Sequence, residues 1–142
     1  MKLRVPFPRN RKAGLIREYD DNFYEKIRVY KSRFVTDMDS AADFSLRIRC
    51  LPSLRIDHIY FEDLQLRDEE NALPVEEAGD IPDDLLISYI HADNIDLINF
   101  IGEYHGKSIE IGIRKNEWEV WLRILHLTDD ELKKLENELG LY

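Results

Sequence analysis

The chain has 142 residues, 44% hydrophobic and 35% charged, with a formal net charge of −9. That length fits one domain with a sizeable core, and the composition is too apolar for a disordered chain. No apolar run approaches the ~20 residues of a membrane span, and one cysteine, Cys50, excludes both an internal disulfide framework and a Cys-rich zinc site.

The charge is unevenly placed. Residues 1–34 carry ten Lys/Arg and four acids, a balance of +6, against −15 for residues 35–142. An acidic body repels nucleic acid and favours a basic partner. The amino terminus, MKLRVPFPRNRK, is basic but lacks the apolar stretch of a signal peptide, so the expectation is a cytoplasmic protein.

In chain order, Leu15–Tyr19 reads as a strand. Phe23, Ile27, Tyr30 and Phe34 then follow a helical stripe that Asp20–Asn22 would cap, although Ile27 and Val29 also keep strand spacing. The segment 44–50, FSLRIRC, alternates with Phe44, Leu46, Ile48 and Cys50 on one face. With LRIDHIYF at 54–61 it predicts a hairpin around Pro52-Ser53. This placement makes Cys50 a buried, inert thiol. Residues 68–84 then hold eight acids, no Lys or Arg, two prolines and one glycine. The stretch 67–84 therefore reads as a solvated acidic loop dividing one domain into two halves.

Beyond it, LLISYIH at 85–91 has the look of a buried strand. Ile95, Leu97, Ile98, Phe100, Ile101 and Tyr104 predict a helix over 94–104, with Asp93 or Asn94 as N-cap and Gly106 past its end. SIEIGIR and WEVWLRIL alternate and form a hairpin. They are joined by Lys115-Asn116 or a slightly longer turn; the two-residue turn would set Ile113 opposite Trp118, Ile111 opposite Val120 and Glu110 opposite Trp121. Thr128-Asp-Asp-Glu131 is a capping box for a helix over 128–139, lined by Leu132, Leu135 and Leu139 and closed by Gly140. If 21–34 is helical, both halves run strand–helix–hairpin, the pattern of a diverged duplication. The fold class is α+β: a mostly antiparallel sheet of five to seven strands with two or three packed helices.

Chemistry-bearing patterns are sparse. His91 and His105 would flank a helix about 16 Å long, too far apart to ligate one metal ion. Glycine-rich phosphate loops, GxSxG, HExxH and calcium-loop spacings are absent from the sequence, so no cofactor or metal is expected. Trp121 is the exception to a plain core pattern, because it falls on the face opposite Val120 and Leu122. There it joins Glu110, Glu119 and Arg123, residue types that anchor protein contacts. The expected function is an acidic interaction module using these four residues. It would be an inhibitor comparable in size and charge to immunity proteins and antitoxins, neutralising a basic partner such as a nuclease toxin. The alternative is a small enzyme or ligand-binding domain with a pocket near His58 and His91.

Overall fold

A computed structural model describes residues 15–21, 25–63, 76–77 and 81–141. The described chain forms one antiparallel sheet with three helices. In order, the elements are β1 (Leu15–Asp21), β2 (Glu25–Tyr30), α1 (Met38–Cys50), β3 (Leu54–Glu62), β4 (Glu76–Glu77), α2 (Asp83–His91), β5 (Leu97–Tyr104), β6 (Lys107–Arg114), β7 (Glu119–Leu125) and α3 (Asp129–Leu139). Across the sheet the strands run β1-β2-β7-β6-β5-β3-β4. The β2–β7 and β3–β5 pairings join the two halves of the chain, so the acidic stretch divides the sequence but not the sheet.

Period-two alternation makes the sheet two-faced. Ile98, Phe100 and Tyr104 of β5, Ile109, Ile111 and Ile113 of β6, and Val120, Leu122 and Ile124 of β7 all point to one side and are buried. The helices cover that side. Phe44 and Ile48 of α1, Leu86 and Ile90 of α2, and Leu132, Leu135 and Leu139 of α3 complete a single core, with the Tyr89 ring stacked on Phe61 of β3 at 4.4 Å. No helix among the described residues is long and apolar enough to cross a membrane.

Four local expectations are overturned. FSLRIRC is the body of helix α1, not a strand: Ala41, Phe44, Ser45 and Ile48 recur at helical spacing and are buried, behind Asp37 and Ser40 in a reciprocal capping box. LLISYIH is helix α2, in which Pro82 holds the N-cap, Asp83 and Asp84 fill the first turn, and Leu86 and Ile90 face the core. Residues 97–104 are a strand because Ile98, Phe100, Gly102 and Tyr104 are buried in strict alternation between two paired neighbours. The helical stripe at 21–34 yields to β2, with Asp20 and Asp21 closing β1 rather than capping a helix; Asn22 and Phe23 lie outside the described residues. With these changes the strand–helix–hairpin duplication disappears. Within 67–84, Glu76 and Glu77 pair with β3, Asp83 and Asp84 open α2, and residues 67–75 and 78–80 lie outside the described set.

The helical layer is tied at its ends. His91 Nε2 meets Asp39 at 2.9 Å, and Arg49 Nη1 lies 3.1 Å from Asp83. The last turn of each helix thus pairs with the first turn of the other, and each charge complements its own helix dipole. The hydrogen bond that His91 donates to Asp39, then the one to the Ile87 carbonyl, raises the His91 pKa above the ordinary imidazole range. The buried Lys115, from the β6–β7 turn, donates to the Ile90 and Ala92 carbonyls at 2.7 and 2.8 Å, closing the C-terminus of α2. Burial lowers its pKa.

The carboxyl-terminal helix forms as expected. Thr128 and Glu131 make the capping box, and Gly140, at φ 69°, closes a Schellman turn in which the Leu141 N–H donates to the Glu136 carbonyl. Lys107, hydrogen-bonded at 2.8 Å, and the Thr128 backbone N–H hold the Glu131 carboxyl down at about 2. Ionised Glu131 therefore stabilises the fold above its unfolded pKa of about 4.5, and that support disappears as pH falls towards about 2.

Two measurements follow from this packing. A Cβ on Gly102 would overlap the Arg55 carbonyl oxygen and lie 2.8 Å from the Ile56 Cα, whereas one on Gly112 meets nothing closer than 3.4 Å. Urea titration should show Gly102→Ala losing about 3 kcal/mol, the upper range for overpacking, and Gly112→Ala unchanged or gaining up to about 1 kcal/mol. Thr128→Ala should lose about 1 kcal/mol. Glu131→Gln should flatten the stability change between pH 4.5 and 2 relative to the parent chain.

Candidate functional site

The face turned away from the helices is built by the same alternation. Cross-strand register aligns Arg17, Val29, Trp121, Gly112, Asn99 and Tyr60 in one row from β1 to β3. The neighbouring row carries Ile27, Arg123, Glu110, Ile101 and His58.

Trp121 is half-buried at the centre. Its indole N–H donates to Glu119 at 3.1 Å, and the guanidinium groups of Arg17 and Arg114 lie 5.7 and 5.3 Å from the ring centre. Glu119 is buried and also accepts from Arg17 at 3.1 Å. Arg123 donates to Glu25, and to Glu110 at 3.0 Å, while Asn99 donates to Glu110 at 3.1 Å. The Glu25 hydrogen bond, followed by Glu110, raises the Arg123 pKa.

The four residues singled out from the sequence, Trp121, Glu110, Glu119 and Arg123, do share this face. Their pairing differs by two positions. The connection is the four-residue turn 115–118, with Trp118 at φ 51°, so Ile113 faces Val120 and Ile111 faces Leu122. Arg123 is then opposite Glu110, and Gly112 is opposite Trp121. A shift of two keeps every side chain on its face. The participants that sequence reasoning missed are Arg17, Glu25, Ile27, Leu97, Asn99 and Arg114. Arg17 lies on a strand already expected, and only the β1–β2 and β2–β7 pairings reveal its role. Leu97 and Asn99 fall in a segment whose spacing reads as helix, and Glu25 and Ile27 in one whose spacing fits helix or strand.

Beside Trp121 lies a hollow of about 370 Å³ with Ile27, Leu97, Asn99, Gly112 and Arg114 in its wall. The missing side chain at Gly112 creates the depression. A second hollow of about 310 Å³ adjoins it, with Asp57, Glu103 and Ser108 in its wall. Glu110 and Arg123 belong to both.

The histidines are dispersed. His58 is on the helix-free face beside Tyr60, and His91 is in the helical layer with Asp39. The sheet separates them, so the expected pocket joining His58 and His91 does not form. His105 is not in a helix end: with Gly106 it makes the β5–β6 turn, at φ 50° and 80°, the two positive values of a tight primed hairpin turn. Among the described residues no group of three His, Cys, Asp or Glu side chains is arranged to hold a metal ion. Cys50 is exposed, because residue 50 of a helix beginning at 38 falls off the buried stripe. The expected buried thiol is therefore corrected.

No family model matches this chain, and comparisons with curated proteins and with solved structures found no match.

The groups around the first hollow are aromatic, aliphatic, amide and charge-paired. Such a wall recognises shape and charge; its carboxylates are already engaged by guanidinium or amide donors. Cys50 offers a separate check on the helical assignment of 38–50. A thiol reagent should label it in the native protein at a rate within several-fold of the denatured chain, and strong native protection would contradict its exposed position.

Proposed function

We propose that this chain is an acidic protein-interaction module, an inhibitor of the immunity-protein or antitoxin kind that neutralises a basic partner such as a nuclease toxin. The observation that carries this reading is Trp121. It is half-buried on the helix-free face, fixed by Glu119 and two arginines, beside a hollow large enough for a partner side chain. Tryptophan and arginine are the residue types that dominate contact energies, and a pre-fixed rotamer loses little entropy on binding.

Charge supplies the second part. Glu110 and Glu119 are neutralised by Arg123 and Arg17, so they orient the anchor rather than attract the partner. Attraction comes from the net charge of the segment 35–142, which sums to −15 against +6 for residues 1–34. Such a field steers encounter over about a Debye length, roughly 8–10 Å near physiological salt.

Capture from the native cell, followed by stopped-flow association, tests the proposal. The on-rate should fall steeply as salt rises past about 0.1 M. Trp121→Ala should mainly speed dissociation, and Glu110→Gln should change the on-rate little because Arg123 shields it. An acidic partner or salt-insensitive binding would overturn the reading. So would turnover of a small molecule abolished by His91→Ala.

A further inference from the structure

The two hollows on the helix-free face differ in character, and their order sets what can lie across them. The first is apolar at its centre, with Ile27, Leu97 and Trp121 around the bare backbone of Gly112. Arg17 and Arg114, held 5.7 and 5.3 Å from the centre of the tryptophan ring, repel a further cation from the ring. The second hollow is acidic. Asp57, Glu103 and Glu110 stand there against two guanidinium groups: Arg55, 3.3 Å from Asp57 and 3.0 Å from Glu103, and Arg123, 3.0 Å from Glu110. One carboxylate is in excess, and one added lysine or arginine would balance it.

From this complementarity we infer that the face takes an extended segment of a partner protein, with a large apolar side chain in the first hollow and a basic side chain in the second. The inference rests on the interaction reading above and gives that partner's local chemistry. Gly112 marks the first hollow and Ser108 the second, four residues apart on β6, or about 13 Å at the usual strand rise. In an extended segment, residues i and i+4 point to the same side and are separated by the same distance. The segment therefore runs along β6 with its basic residue towards the β5–β6 turn, and carries its two anchors at i and i+4. The Glu110–Arg123 bridge stands between them as the shared wall.

Synthetic extended peptides carrying Phe at i and Arg at i+4 test this on the full chain, with i+3 spacing and Arg→Gln peptides as controls. Amide shifts in NMR are the readout. The i+4 peptide should move Leu97, Gly112 and the Trp121 indole together with Glu103 and Ser108. The i+3 and Gln peptides should bind at least five-fold more weakly. Gly112→Val fills the first hollow and Glu103→Gln removes the excess charge of the second, so each should weaken binding similarly while circular dichroism stays unchanged. Shifts confined to one hollow, or binding indifferent to both variants, would overturn the inference. Concentration-dependent self-association that protects this face would overturn it in favour of a second copy. A captured partner with salt-steered association, combined with no peptide response, would overturn this inference alone; loss of both would overturn the interaction reading as well.

Discussion

Where β3 passes β5, the Arg55 carbonyl occupies the space that a side chain on residue 102 would need, and the register shifts between Ile56 and His58 at the same place. The bulge bends β3 over the bare backbone of Gly102. This contact holds the amino-terminal half of the chain to the carboxyl-terminal half along eight residue pairs, from Leu54 opposite Tyr104 to Glu62 opposite Leu97. Ile59 and Phe61 can face the helices only if that pairing is in register, and α1 and α2 pack on the surface they help to form. A methyl group at residue 102 would have to displace the β3 backbone at Arg55 and Ile56.

That dependence also explains which elements could be read locally. Thr128–Gly140 carries its own start and stop signals, and the strands at 107–114 and 119–125 alternate cleanly, so they are legible without partners. Residues 97–104 carry apolar side chains on both faces. Leu97 and Ile101, on the helix-free face, add the contacts that mimic a helical stripe, and only pairing with β3 and β6 selects the strand. The segment 44–50 fails in the opposite sense. Leu46 and Cys50 create an alternation that burial does not honour, while the informative residues, Asp37 and Ser40, lie upstream in a capping box whose third position is serine rather than glutamate. Pro82 and Asp83-Asp84 before Leu86 carried the comparable signal for α2. As for the site, the identities on β6 and β7 were visible because alternation alone assigns a face. Arg17, Ile27 and Leu97 reach it only through long-range pairings.

Charge is organised differently in the two layers. In the helical layer, Asp39–His91 and Arg49–Asp83 are exposed or partly exposed pairs at helix ends, where screening keeps their contribution small and dipole alignment sets their placement. On the other face the arginines turn inward. Arg17 bridges Glu119 and the Trp121 ring, and Arg123 bridges Glu25 and Glu110 across three strands. These contacts fix side chains that would otherwise be long and mobile. The acidic excess of the chain is therefore carried away from the tryptophan, and the tryptophan's immediate surroundings are close to neutral.

Two glycines separate the two tasks of the sheet. Gly102 faces the helical side and is required by backbone proximity; Gly112 faces the other side, where a side chain would meet only ordinary contacts at 3.4 to 3.7 Å. A strand gains stability from a side chain at such a position, so the bare backbone opposite Trp121 sacrifices part of that gain. What the vacancy creates is the hollow beside the ring. Because successive residues alternate between faces, the core and the hollow use different side chains of the same strands. Changes at 110, 112, 121 or 123 can alter recognition while Ile109, Ile111, Ile113, Val120, Leu122 and Ile124 continue to hold the helices.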